Sequence, residues 1–143
     1  MSKIVALDFG LKRIGVAITD DLNIIASALD TVSSQNIVPF LKKIIENNDI
    51  KTIVVGQPRQ KDYSPSFVEK EILKFIDVLK NKFPNVSLER YDERYTSLIA
   101  KKVIIKSGVS KSKRKDKSLV DKISATIILQ SYLENLKKWF YQL

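Results

Sequence analysis

The sequence predicts an α/β fold: a mixed five-stranded sheet, three antiparallel strands and then parallel ones, flanked by helices. Three observations carry this reading. Three short strand-like runs open the chain. From residue 35 onward, helical stripes alternate with further strand-like runs, the order that gives parallel strands joined by crossovers. The 143 residues suit one domain, 1–143, long enough to bury a core.

Ile4–Phe9 is a short apolar run, and Arg13–Asp20 alternates after a Gly10-Leu11-Lys12 turn, so the two read as a hairpin. Ile24–Val32 adds a third antiparallel strand. Gln35–Asn48 places apolar residues at 37, 38, 41, 44 and 45, a helical period ending in Asn47-Asn48. Thr52–Val55 is a buried strand that stops at Gly56. Ser64-Pro65-Ser66 opens a second helix, with apolar positions 68, 72, 75, 76 and 79, which ends before Pro84. Val86–Tyr91 alternates as the next strand. A helix over Thr96–Lys106 begins with a hydroxyl able to cap it. Ser107–Ser118 is polar and Lys-rich and reads as a loop before a final helix, Leu119–Lys138.

The composition narrows the chemistry. Neither cysteine nor histidine occurs, which removes disulfides, thiolate nucleophiles, Ser–His and Cys–His pairs and most catalytic zinc sites. An enzyme built from this chain works with carboxylates, Lys/Arg, hydroxyls, backbone or a bound metal ion. No signal peptide is evident, since Asp8 interrupts the apolar run after Lys3, and no stretch reaches the ~18 apolar residues of a membrane span. A soluble, cytoplasmic protein that does not contact membranes is expected. The charge is unevenly placed. Residues 1–100 carry 14 Lys/Arg against 13 Asp/Glu, whereas residues 101–143 carry 11 against 3. A localised basic segment suggests a polyanionic partner.

Three places offer carboxylates. Asp8 shares a strand face with Ile4 and Ala6, and an ionised carboxylate there is costly unless paired or metal-bound. With Leu11-Lys12 at the hairpin tip, Asp8 lies opposite Gly15, which leaves room for an ion and a phosphate. It reads equally as a strand-end acid capping its turn. Asp92 and Glu93 follow at the C-terminal end of a later strand, where ligands gather in open α/β sheets. Alternation puts Glu93 with Glu89 and Tyr91, and Asp92 on the other face with Leu88. Asp121 begins a stripe of 121, 125, 128, 132 and 136 on the last helix, a position that also complements the helix dipole. Three acids brought to one sheet edge would repel unless cations neutralised them. Mg²⁺ or Mn²⁺ suits oxygen ligands and phosphate substrates, and a two-ion site can cleave phosphodiesters without His or Cys. The basic run Lys111-Ser112-Lys113-Arg114-Lys115 reads as an element that neutralises backbone phosphates, or else as a solvated loop.

The order β-β-β-α-β-α-β-α-α is that of the ribonuclease H-like fold. Leu7-Asp8-Phe9-Gly10-Leu11-Lys12-Arg13-Ile14-Gly15-Val16-Ala17 resembles the opening motif of the YqgF family of pre-16S ribosomal RNA nucleases and Holliday junction resolvase-like proteins. Three further segments match in order: Ile53–Pro58, Asp92–Ser97 and Val120–Ala125. The resemblance spans essentially the whole chain. It implies a metal-dependent nuclease that matures the 5′ end of small-subunit ribosomal RNA. By the same resemblance Asp8, Glu93 (Asp92 the alternative) and Asp121 are the catalytic, metal-holding acids. Lys12, Arg13, Arg94, Lys111, Lys113, Arg114 and Lys115 are then the nucleic-acid contacts. Leu11, Gln57 and the stretch 59–64 depart from the family's usual residues, which leaves substrate contacts near that loop open.

Four functions compete. The first is the ribosomal RNA nuclease, with a precursor RNA as partner. Branched DNA with the same site residues is the second, and it needs two active sites, so monomer and homodimer both stay open. The third is a non-catalytic RNA-binding module of ribosome assembly. An ATPase reading of Asp8-Phe9-Gly10 requires two such domains, and 143 residues supply one.

Overall fold

The computed structural model describes residues 2–57, 68–92 and 117–141, with side chains of the last segment described over 123–136. The strands are β1 (Lys3–Phe9), β2 (Arg13–Thr19), β3 (Ala26–Ser33), β4 (Ile50–Gln57) and β5 (Ser87–Asp92). The helices among the described residues are α1 (Ile37–Asn47), α2 (Glu69–Lys82) and α3 (Lys117–Tyr141). In the sheet the order is β3-β2-β1-β4-β5. β1–β2 and β2–β3 pair antiparallel, and β1–β4 and β4–β5 pair parallel. The expected fold class, a mixed five-stranded sheet with three antiparallel strands and then parallel ones, is the observed one.

Local hydrogen bonds account for where the elements begin. β3 starts at Ala26 rather than Ile24 because the Asp20 carboxylate accepts from the amides of Ile24 and Ile25, at 2.7 and 2.9 Å, and holds both in the turn. Asn23, at φ 56°, completes that turn in a conformation asparagine tolerates well. α1 begins at Ile37, two residues later than expected, after the Asn36 amide donates to the Ser33 carbonyl. The last two residues of the expected 107–118 loop are helical, as α3 begins at Lys117. The expected opening of α2 at Ser64-Pro65-Ser66 and the expected helix over Thr96–Lys106 lie outside the described residues.

Alternation along the strands divides the apolar residues into two layers. On one face Val5, Leu7, Ile14, Val16, Ile53 and Val55 pack against Ile37, Leu41 and Ile44 of α1 and Ile72, Ile76 and Leu79 of α2. On the other, Ile4, Ala6, Ala17 and Val54 pack against Ala125, Ile128, Leu129 and Leu133 of α3. Two of the four sheet residues in this layer are alanines, so α3 lies on a floor of short side chains. No helix among the described residues is long and apolar enough to cross a membrane.

Candidate active site

Asp8 occupies the penultimate position of β1, half-buried, on the α3 face with Ile4 and Ala6. Its antiparallel partner is Gly15, as the hairpin register requires. On the other side, Leu7 pairs with Val55, which brings Gly56 of β4 level with Asp8. Gly56 in turn pairs with Tyr91 of β5. A row therefore crosses the α3 face as Gly15, Asp8, Gly56, Tyr91. Both strands beside the carboxylate contribute no side chain, so the room expected next to Asp8 exists on two sides rather than one.

The turn after Asp8 is equally constrained. A Cβ on Gly10 would fall 2.5 Å from the Arg13 carbonyl oxygen, so only glycine lets the chain double back this tightly. Lys12 is exposed at the turn, and Arg13 is half-buried on the same face as Gly15, one strand step beyond Asp8. Both expected phosphate-contacting residues of this turn thus lie at the Asp8 edge of the sheet.

Asp92 closes β5 and pairs with Gln57 at the end of β4. Its face is the opposite one. Leu88, two pairs of positions before it, packs with the α1 and α2 core, while Tyr91 packs with the α3 layer and its hydroxyl accepts from the Asn135 amide at 3.1 Å. Asp8 and Asp92 therefore end neighbouring parts of one edge but point to different sides of the sheet. Glu93, Arg94, Lys111, Lys113, Arg114 and Lys115 lie outside the described residues. Asp121 lies within the described backbone of α3, one helical turn before the buried Ala125. With two of the three expected acids beyond the described side chains, no group of three or more Asp or Glu comes together among the described residues.

The path of α3 is fixed at two points. The Ala26 amide, at the start of β3, donates to the Gln130 side-chain carbonyl at 3.2 Å. Ala26 pairs with Thr19, whose hydroxyl accepts from the Ile4 amide, so this contact marks the sheet edge away from Asp8. Nearer the C-terminus, Tyr132 packs on the same layer, and burial, followed by the Glu89 carboxylate, pushes its phenol above the ordinary value of 10.0. Residues not singled out from the sequence also serve this edge: Glu69 and Arg90 form a largely buried ion pair beside the ends of β4 and β5. The available signal was Arg90 alternating with Leu88 on a core face, and Glu69 three residues before the buried Ile72 on the inward stripe of α2.

A model of the family described as RuvX, Holliday junction resolvase, matches residues 2–135. The chain belongs to the RuvX family. A protein of Azobacteroides pseudotrichonymphae genomovar. CFP2, named "Putative pre-16S rRNA nuclease", is 47% identical over 138 residues, covering 96% of this chain and 100% of its own. A protein of the same name from Christiangramia forsetii is 47% identical over 133 residues, 93% of this chain and 98% of its own. Among solved structures, Thermus thermophilus RuvC in complex with a Holliday junction substrate superposes with TM-score 0.56 at 14% identity, over 95% of this chain and 96% of that one. The Fowlpox virus resolvase with its substrate Holliday junction DNA gives TM-score 0.53 at 16% identity, over 94% and 98%. These likenesses establish the ribonuclease H-like fold. The RuvX family and the named relatives are those of nucleases, as the four sequence motifs imply.

Proposed function

We propose that this RuvX-family chain is a divalent-metal-dependent nuclease that trims the 5′ end of pre-16S ribosomal RNA in the cytoplasm. The observation that carries the reading is the half-buried Asp8 with glycines 15 and 56 on either side, on the face that α3 covers. The names of the relatives support ribosomal RNA as the substrate.

Asp8, Glu93 and Asp121 would hold the ion. The donor set fits a hard cation, because the chain has oxygen donors and neither imidazole nor thiolate. Position 121 lies one helical turn before Ala125, which packs with Ala6 and Ala17 in the layer that leads to Asp8. This supports a position for 121 toward the Asp8 edge. Asp92 faces the α1 and α2 side with Leu88, away from Asp8, which favours Glu93 over it as the third acid. Bound Mg²⁺ or Mn²⁺ supplies Lewis acidity and a water of lowered pKa. The protein's own part is to concentrate carboxylates that would otherwise repel, and to keep the space beside Asp8 free of side chains. Lys12, Arg13, Arg94 and the basic 111–115 segment neutralise the backbone phosphates of the substrate, which sets affinity and register rather than sequence choice.

The family description, together with neighbours bound to junction DNA, favours a second reading in which the same acids cut four-way junctions. Purified protein incubated with a pre-16S 5′-end RNA, duplex DNA and a four-way junction, each with Mn²⁺, Mg²⁺ or EDTA, separates the two. Metal-dependent RNA cleavage that Asp8→Asn loses, with RNA binding retained, is the expected outcome. Junction-selective cutting would replace ribosomal RNA with branched DNA. A fully active Asp8→Asn protein would overturn the site itself.

A further inference from the structure

α2 touches the catalytic edge of the sheet through polar atoms as well as apolar ones. Its first residue, Glu69, is buried and receives the Arg90 guanidinium as a fork, Nη2 to Oε1 at 2.7 Å and Nη1 to Oε2 at 3.3 Å. The same guanidinium donates from Nε to the Val55 carbonyl at 3.2 Å and from Nη2 to the Gly56 carbonyl at 3.1 Å. Gln57 adds a donation from Nε2 to Glu69 Oε2 at 3.3 Å. All three final residues of β4 are thereby tied to one ion pair, and Arg90 lies two residues before the end of β5. One turn and a half further along α2, Phe75 packs on Phe9 with ring centroids 5.2 Å apart, bracing the residue after Asp8.

Burying charge at this place calls for a reason beyond stability. A desolvated ion pair adds little net stability compared with apolar residues of similar size, and α2 already anchors itself through Ile72, Ile76 and Leu79. A guanidinium fork differs from an apolar contact in fixing direction. Its planar donors hold the carboxylate and both carbonyls in one geometry, which a leucine cannot do. The atoms it holds are the backbone of Gly56, level with Asp8, and the strand that ends one residue before Glu93.

We propose that Arg90 and Glu69 are positioning residues that fix the ends of β4 and β5, and so hold Gly56 and the terminus of β5 in register with Asp8. This rests on the nuclease reading above. Neither residue touches the substrate; both act through the backbone of 55–57 and through β5.

The test uses the full chain, with Arg90→Lys and with the paired apolar replacement Glu69→Leu/Arg90→Met. The pair removes both charges together, which buried ion pairs tolerate better than loss of one partner. Folded variants are expected to lose about 10–100-fold in kcat on a pre-16S RNA and in Mn²⁺ affinity by calorimetry, the usual effect of disturbing groups behind metal-holding acids. KM for the RNA is expected to stay within about twofold, since the phosphate contacts lie elsewhere. A folded double variant with wild-type kcat and Mn²⁺ affinity overturns the proposal. Hydrogen exchange gives a second readout: amides of Gly56, Gln57 and Asp92 are expected to lose protection in the folded double variant relative to wild type, and unchanged protection there overturns the clamp. Wild-type protein that binds Mn²⁺ through Asp8 without cutting RNA or DNA defeats the nuclease reading alone, and the clamp is then read from Mn²⁺ affinity. Wild-type protein that neither cuts nor binds Mn²⁺ overturns both.

Discussion

The two faces of the sheet are built from the same strands and filled to opposite ends. Toward α1 and α2, branched and aromatic side chains form the larger layer, with Leu7, Ile14, Leu41, Ile53, Ile72 and Leu79 all fully buried and Phe9, Phe40 and Phe75 packed around them. Toward α3, alanines at 6, 17 and 125 and glycines at 15 and 56 make a layer of shorter side chains. The first face gains its stability from buried apolar area. The second is built from shorter side chains, and two of its glycines flank Asp8. The difference teaches that one sheet can fill one face with large side chains while small residues on β1, β2, β4 and α3 leave room beside a single carboxylate on the other.

The largest expected effect tests whether the thin face carries the chemistry. Asp8→Asn keeps nearly the same shape, so the protein should stay folded, judged by its thermal midpoint, while metal-dependent cleavage disappears. A thick-face cavity should do the reverse. Leu41→Ala removes a fully buried side chain of α1 and should cost about 2–5 kcal/mol of stability in urea unfolding. The kcat of the remaining folded enzyme should change little, because α1 packs on the face of the sheet opposite to Asp8. Ala6→Leu sharpens the contrast by overfilling the thin face. Overpacking costs about 1–3 kcal/mol, yet here it should also depress kcat, since Ala6 lies two residues from Asp8 on the surface that α3 covers. Equal kcat in Leu41→Ala and Ala6→Leu would erase the distinction between the faces.

The smallest effect concerns the β2–β3 turn, far from both layers. Amide donations from Ile25 and Ile24 hold the Asp20 carboxyl below its ordinary value of 3.8. A lowered folded pKa means that the carboxylate's contribution is present above the unfolded value and is lost as pH falls through the folded one. Acidification below about pH 4 should loosen the turn 20–25 by NMR before the sheet melts, and Asp20→Asn should remove that step.

Much of this was legible in the chain itself. Alternation in β1 and β2 with a glycine-led turn is enough to pair Asp8 with Gly15, because a short hairpin leaves one register that buries Ile4, Ala6 and Ala17 together. Periodicity locates α1 and the inward stripe of α2, and alternation already puts Asp92 on the face of Leu88. Element ends were less legible. Ile24 and Ile25 look like strand residues by composition, but the carboxylate of Asp20, at the start of the same turn, recruits both amides and delays β3.

What the sequence by itself determined is the order of the described elements, the face their residues take and the chemistry available: acids, basic residues and hydroxyls, with no imidazole or thiol. Those follow from backbone periodicity and side-chain type, which act over a few residues. Only the tertiary structure decided that Gly56 lies level with Asp8 and that Arg90 meets Glu69 across 21 residues. Parallel strands share no turn, so their register is set by how the intervening helices pack, and no local pattern in either strand records it.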